Sequence, residues 1–185
     1  FCGSSEDLDS IYYQTATELG SLLGQNNYNL IHGAGIIGLM GHLMLAASIS
    51  GSKVTGVVPE RLNRENIVDN KLQELIVTKD MKDRKEYMRE KSDAFIALPG
   101  GFGTIEELLE VITLKQLKYH QKPIVIINTK DFYSGLLNQF KSFYNNNFAN
   151  KSYESLYFVA DNPLEAIDYI KTYKYNDIYD KYLKE

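Results

Sequence analysis

The sequence predicts an α/β fold, a doubly wound parallel sheet with helices on both faces. Three observations predict it. Short apolar runs alternate with longer amphipathic segments along the chain. Two of those runs enter glycine-rich turns that open helices, Gly33-Ala34-Gly35-Ile36-Ile37-Gly38 and Pro99-Gly100-Gly101-Phe102-Gly103. No repeat, low-complexity segment or linker divides the 185 residues, so residues 1–185 are expected to form a single domain.

Taken in order, Phe1 to Ser5 reads as the end of a first strand running into a polar turn, with part of that strand expected upstream of residue 1. Ile11 to Leu23 follows as a helix, with Ile11, Thr15, Leu19 and Leu22 on one face and Gly24 as its stop. Residues 28–32 form a second strand. It enters the G-x-G-x-x-G turn, and a small-residue helix over 40–50 ends at Gly51. That glycine pattern alone is weak evidence for a nucleotide. The third strand, 53–59, is followed by Glu60 and by no clear acidic partner for a ribose, which argues against NAD. Residues 61–70 are polar, a loop or short helix that includes Glu65. Residues 72–78 make a fourth strand.

A helix begins at Met81, and positions 81, 84, 85 and 88 share a face. Arg84 and Lys85 therefore point together, either as a solvated basic patch or as an anion clamp. Ala94 to Leu98 is a buried strand stopped by Pro99. A helix is expected from Thr104, with Ile105, Leu108, Leu109 and Ile112 on the buried face and Glu106, Glu110 and Thr113 on another. Further on come a strand at 124–128, an aromatic-rich helix at 132–148, a strand at 156–160, and a helix opened by Pro163 that runs to about 173. The tail from 174 to 185 either packs on a partner or frays.

The chemistry concentrates at 94–107. A strand, a glycine-rich turn and a helix start make a phosphate site, because the backbone approaches closely and the first helical N–H groups attract an anion. Glu106 and Glu107 sit beside it, although carboxylates repel phosphate. One explanation is a capping box, with Thr104 as N-cap and Glu107 reaching back. The other is a carboxylate held one sugar away from a bound phosphate, suited to chemistry on a nucleotide's ribose.

Composition narrows the classes. A net charge of −4 offers no polyanion-binding surface, so no nucleic acid partner is expected. The single cysteine, Cys2, excludes an internal disulfide and fits a reducing cytoplasm. No apolar run reaches membrane-spanning length, so no membrane association is expected.

Four stretches carry a resemblance: Phe1-Cys2-Gly3-Ser4-Ser5, Gly33-x-Gly35-x-x-Gly38-Leu39-Met40-Gly41, Met81-x-x-Arg84-Lys85, and Pro99-Gly100-Gly101-x-Gly103-Thr104-x-x-Glu107. Together they resemble the LONELY GUY family of cytokinin-activating nucleoside 5′-monophosphate phosphoribohydrolases, often labelled lysine decarboxylases. The resemblance implies a Rossmann-like fold, a small-molecule nucleotide substrate, cleavage to free base and ribose 5-phosphate, a homodimer, and no metal or organic cofactor. It also implies Arg84 and Glu107 as the catalytic pair. Glu65, Lys85, Gly101, Phe102, Gly103, Thr104, Ile105, Glu106 and Thr113 fall at substrate-binding positions. The departures are Ala34 within the usual triple-glycine stretch, His32 where tyrosine is common, and Leu114 where tryptophan is common. A carboxylate near the sugar suits an oxocarbenium-like transition state, and the guanidinium of Arg84 is a poor proton donor. Thr113 shares a face with Glu106, which leaves open which of the two carboxylates is nearer the substrate. A non-catalytic carrier of a nucleotide or molybdenum cofactor in the same fold is the alternative. A pyridoxal decarboxylase is a third reading, for which no Schiff-base lysine context is visible.

Overall fold

The computed structural model describes residues 1–64, 68 and 74–179. Among them the elements run α1 (Ser10–Gln25), β1 (Leu30–His32), α2 (Gly38–Ile49), β2 (Val54–Pro59), β3 (Glu74–Thr78), α3 (Met81–Lys91), β4 (Phe95–Ala97), α4 (Phe102–Gln116), β5 (Ile124–Ile127), α5 (Ser134–Asn145), β6 (Phe158–Ala160) and α6 (Pro163–Thr172). Helix starts follow local chemistry. The side chains of Asp9, Asp80 and Asn162 accept from the N–H groups of Ile11, Asp83 and Glu165, and Pro163 opens α6 as expected.

The strands pair in two parallel sets, β1-β2-β3 and β4-β5-β6. Leu30 lies opposite Val54 in the first, and Ile96 opposite Val125 in the second. Strands β2 and β5 are buried at every residue, as parallel strands covered on two sides must be. Alternate residues of β5 show the two sides. Ile124 and Ile126 pack with Leu108 and Val111 of α4 and Phe140 of α5. Val125 and Ile127 pack with Leu19 of α1, Leu43 of α2 and Ile167 of α6. Helices therefore cover both faces, as predicted.

The opening segment lies beside β4. The Phe1 nitrogen donates to the Ile96 carbonyl (2.8 Å), Leu98 N–H to the Phe1 carbonyl (2.9 Å), and Gly3 N–H to the Pro99 carbonyl (3.0 Å). Leu39 N–H in turn donates to the Gly3 carbonyl (3.1 Å), which ties this segment to the start of α2. Gly38 has φ +60°, and a Cβ there would strike the Ser4 backbone, so both conformation and space require glycine. No helix among the described residues is long and apolar enough to cross a membrane.

Several boundaries differ from the sequence reading, each for a local reason. Tyr28 N–H bonds back to the Leu23 carbonyl and closes α1, so β1 starts at Leu30 rather than residue 28. Gly24 does not stop α1. It lies inside the helix, where its missing side chain admits the Ser50 backbone at the end of α2. Helix α5 starts at Ser134, after a 3₁₀ turn over Thr129–Asp131, and Leu156 belongs to a 3₁₀ turn (Lys151–Leu156) rather than to β6. The segment after β2 opens with a short 3₁₀ turn, Glu60–Leu62. Glu65 lies outside the described residues.

Replacing Gly24 by Ala separates these two roles. Helix propensity alone predicts a gain of about 1 kcal/mol. The approach of Ser50 predicts instead a net loss of about 1–3 kcal/mol, measurable as a lower midpoint in thermal or urea unfolding.

Candidate active site

The site is built around a buried cation. Arg84, in the first turn of α3, is only 8% exposed. Its Nε donates to the Val57 carbonyl of β2 (3.0 Å), and its Nη1 donates to Glu107 Oε1 of α4 (2.6 Å). Its other terminal nitrogen, Nη2, lies against Gly33, where a Cβ would collide with it and press on Met40 Sδ. The glycine after β1 thus makes room for the guanidinium. Arg84 is therefore not part of a solvated patch. It joins the ends of three elements that are distant in sequence.

Next to this pair runs a more exposed ladder between α3 and α4. Lys85 Nζ meets Glu106 Oε1 at 2.5 Å and Glu110 Oε1 at 3.5 Å, and Arg89 Nη1 meets Glu110 Oε1 at 2.8 Å. The hydrogen bond to Glu106 is the main reason the Lys85 ammonium is held above its ordinary value. The sequence places Glu110 on one face with Glu106 but assigns neither Glu110 nor Arg89 to the site. Their signal was the matched i, i+4 spacing of Lys85–Arg89 and Glu106–Glu110.

The two adjacent carboxylates differ sharply. The Glu107 side chain is 13% exposed and bound to Arg84, whereas that of Glu106 is 54% exposed and bound to Lys85. Glu107 is the enclosed one, which separates two residues that helical spacing had left ambiguous. Thr113 is exposed two turns further along α4 and does not join the Arg84–Glu107 cluster.

The capping box is not formed. Helix α4 starts at Phe102, with Gly101 as N-cap and no side-chain cap bond, and the Glu107 carboxylate is engaged by Arg84. Thr104 lies within the first turn, buried at 5%, and Gly100 must lack a Cβ because the Thr104 side chain occupies that space. The first i→i−4 bond of the helix is Ile105 N–H to the Gly101 carbonyl (3.1 Å). The N–H groups of Phe102, Gly103 and Thr104 precede it and have no partner within the helix. A Cβ on Gly101 or Gly103 would meet nothing within 4 Å, so the turn faces open space, and Phe102 is 95% exposed. This is the geometry of an anion site. Ile105, by contrast, packs into the apolar cluster with Phe95 and Leu108 rather than facing the turn.

A cavity of about 680 Å³ runs between the edges of β1 and β4. One end reaches Arg84, Glu107, Gly33 and His32, and the other is bounded by Asn29 and Asp93 at the strand starts. Most of its length is the space between two strand edges, so only the Arg84 end belongs to the chemistry. His32 is 5% exposed, and among the described residues neither ring nitrogen has a hydrogen-bond partner. Burial, helped by the positive charge of Arg84, brings it down to about 4, so the ring is neutral at physiological pH. Among the described residues no group of three His, Cys, Asp or Glu side chains could hold a metal ion.

Comparison with known proteins now identifies the family. Residues 40–170 match the family model described as possible lysine decarboxylase. A probable cytokinin riboside 5′-monophosphate phosphoribohydrolase of Oryza sativa subsp. japonica is 40% identical over 173 residues, covering 94% of this chain and 71% of the rice protein. An Arabidopsis thaliana cytokinin riboside 5′-monophosphate phosphoribohydrolase is 38% identical over 174 residues, covering 94% of this chain and 76% of its own. The chain belongs to the LONELY GUY family. Solved structures add the fold. The molybdenum cofactor binding protein of Rippkaea orientalis superposes with a TM-score of 0.70 at 23% identity, over 92% of this chain and 93% of that one. The Arg84–Glu107 pair and the uncapped helix start thus belong to a LONELY GUY chain whose fold is shared with that molybdenum cofactor binding protein.

The Arg84–Glu107 pair makes a separable stability prediction for this LONELY GUY protein. Arg84→Met leaves a buried carboxylate alone and should cost about 3–5 kcal/mol. Adding Glu107→Leu should restore much of that loss, as read in urea unfolding of both single variants and the double variant.

Proposed function

We propose that this protein hydrolyses the N-glycosidic bond of a nucleoside 5′-monophosphate, AMP or an N6-substituted AMP such as a cytokinin nucleotide, to free base and ribose 5-phosphate. The reading is carried by one observation: the enclosed Glu107 carboxylate, held by Arg84, lies one helical turn from the amides of Phe102, Gly103 and Thr104, which have no partner within the helix. Three residues of helix rise about 4.5 Å, the scale of a ribose. The curated relatives bear this activity in their names.

In this reading the 5′-phosphate sits on the α4 amides, and the ribose lies across the first turn. Binding at the phosphate end orients the reacting bond at the other. Arg84 occupies Glu107 Oε1, leaving Oε2 for the sugar side. As the bond to the base lengthens, positive charge grows on the ribose and the carboxylate stabilises it. The same carboxylate orients the attacking water. Lys85 offsets the charge of Glu106 at 2.5 Å, which removes the objection that two carboxylates would repel the phosphate. Glu106 then serves as a ribose ligand at the open edge.

The family model's wording, possible lysine decarboxylase, raises pyridoxal phosphate. The residues do not fit it. Lys85, the lysine beside the anion site, is bound to Glu106 and Glu110 and held protonated, the wrong state for a Schiff base. We also propose a homodimer. Leu45 and Ile49, one turn apart on α2, are large apolar side chains left exposed, and light scattering after gel filtration tests the assembly. A reducing cytoplasm is the proposed compartment, consistent with the free, buried Cys2.

Incubation with AMP and with N6-isopentenyl AMP, followed by chromatography, should release free base and ribose 5-phosphate. Glu107→Gln should lower turnover by about 10²-fold or more while nucleotide binding persists in calorimetry. Nucleotide binding without base release from the wild type would favour a carrier. The matching nucleosides, which lack the 5′-phosphate, should react much more slowly, and equal rates would remove the phosphate site from the mechanism.

A further inference from the structure

A second buried cation lies at the opposite end of α4. Lys115 is 1% exposed. Its Nζ donates to the Leu156 carbonyl (2.9 Å) in the 3₁₀ turn and lies 4.9 Å from the ring centre of Tyr173. No carboxylate lies within ion-pair distance of it among the described residues. One carbonyl and one ring face do not replace the hydration of an ammonium, which has three protons to donate. Burial alone lowers the amine from its ordinary value to about 8.

The lid over this amine is the segment that follows α6. Tyr173 covers Lys115, Asp177 pairs with Lys118 at 3.1 Å, and Ile178 is buried with Tyr153 and Leu156. Residues 173–178 thus form a strap across the end of α4 and the 3₁₀ turn. Undocking the strap would return the Lys115 amine to water.

We propose that Lys115 is a buried switch for this strap, which docks tightly over the neutral amine and loosely over the ammonium. The sign follows from linkage. The docked state lowers the amine, so docking strengthens as pH rises from the docked value of about 8 toward the ordinary 10.5. Among the described residues, the neighbouring groups leave the window from pH 7 to 9 to Lys115. On the strap, Tyr173 is pushed up to about 12 and Tyr175 is also raised by burial, so neither ionises in that range. Tyr144 of α5 and Tyr157 after the 3₁₀ turn are likewise raised by burial. His120, after α4, is lowered by burial and is neutral throughout. Asp177 is lowered by Lys118 and ionised throughout. The other charged side chains on the elements packed there are Lys118, bound to Asp177, Lys151 and Glu154 of the 3₁₀ turn, and Lys174 of the strap.

Trypsin cleavage after Lys174, which lies in the strap, reads the undocked fraction when redocking outpaces cutting. Rates are followed by mass spectrometry on the whole protein and divided by those of a free peptide spanning 171–179. The normalised wild-type rate should fall on the order of tenfold between pH 7 and pH 9. Lys115→Met, checked for native circular dichroism, should be slow and unchanged at both. Lys115→Arg, charged at both, should stay fast. An unchanged wild-type rate would overturn the proposal, as would faster cutting of Lys115→Met than wild type at pH 7. Slowing of Lys115→Arg at pH 9 would overturn it as well.

Discussion

The site depends on where one guanidinium can be buried. Arg84 spends its Nε on the β2 backbone and its Nη1 on Glu107, and its remaining nitrogen is accommodated only because residue 33 has no side chain. Each contact comes from a different part of the chain: the turn after β1, strand β2 and helix α4. A buried cation needs such partners, since a lone one costs several kcal/mol. The requirement therefore fixes β1, β2, α3 and α4 relative to one another, and Glu107 is held as a by-product of satisfying Arg84. Stability and site geometry draw on the same ion pair.

The surrounding architecture supplies the rigidity. Strand β5 is buried on both sides, with alternate residues feeding two apolar clusters. Helix α4 rests on one cluster through Leu108 and Val111, and its uncapped start projects beyond it. A helix anchored along its length presents its first amides without needing an ordered loop, which suits an anion site placed by backbone rather than by side chains. The opening segment reinforces the same end, because Gly3 bonds both to Pro99 ahead of that turn and to Leu39 at the start of α2.

Much of this was legible in the sequence. Alternating apolar runs and the two glycine turns predict the parallel sheets, and Arg84, Lys85, Glu106 and Glu107 stand out as charges near a phosphate-like turn. What failed to read did so because local rules competed with tertiary partners. Thr104-x-x-Glu107 has the letters of a capping box, yet Glu107 gains more from a buried guanidinium than from its own backbone, so the helix starts earlier, at Phe102. Gly24 looks like a terminator but is a contact point between two helices. Lys115 carries no signal of burial, because a lysine on a helix is ordinarily solvated, and it is the 3₁₀ turn at Leu156 and the strap at Tyr173, both far along the chain, that enclose it.

Adjacent residues on a helix are turned about 100° apart, and that rotation divides the labour between Glu106 and Glu107. The same step points one carboxylate inward to Arg84 and the other outward to Lys85. The inward one is largely shielded from water and is held by a planar donor with one defined direction, which fixes its orientation. The outward one stays hydrated and is matched by a flexible amine, so it can shift to meet a hydroxyl. A single carboxylate could not be both rigid enough to face developing charge and mobile enough to admit a sugar. Placing two in sequence, each against its own cation on consecutive residues of α3, meets both demands with one helix pair.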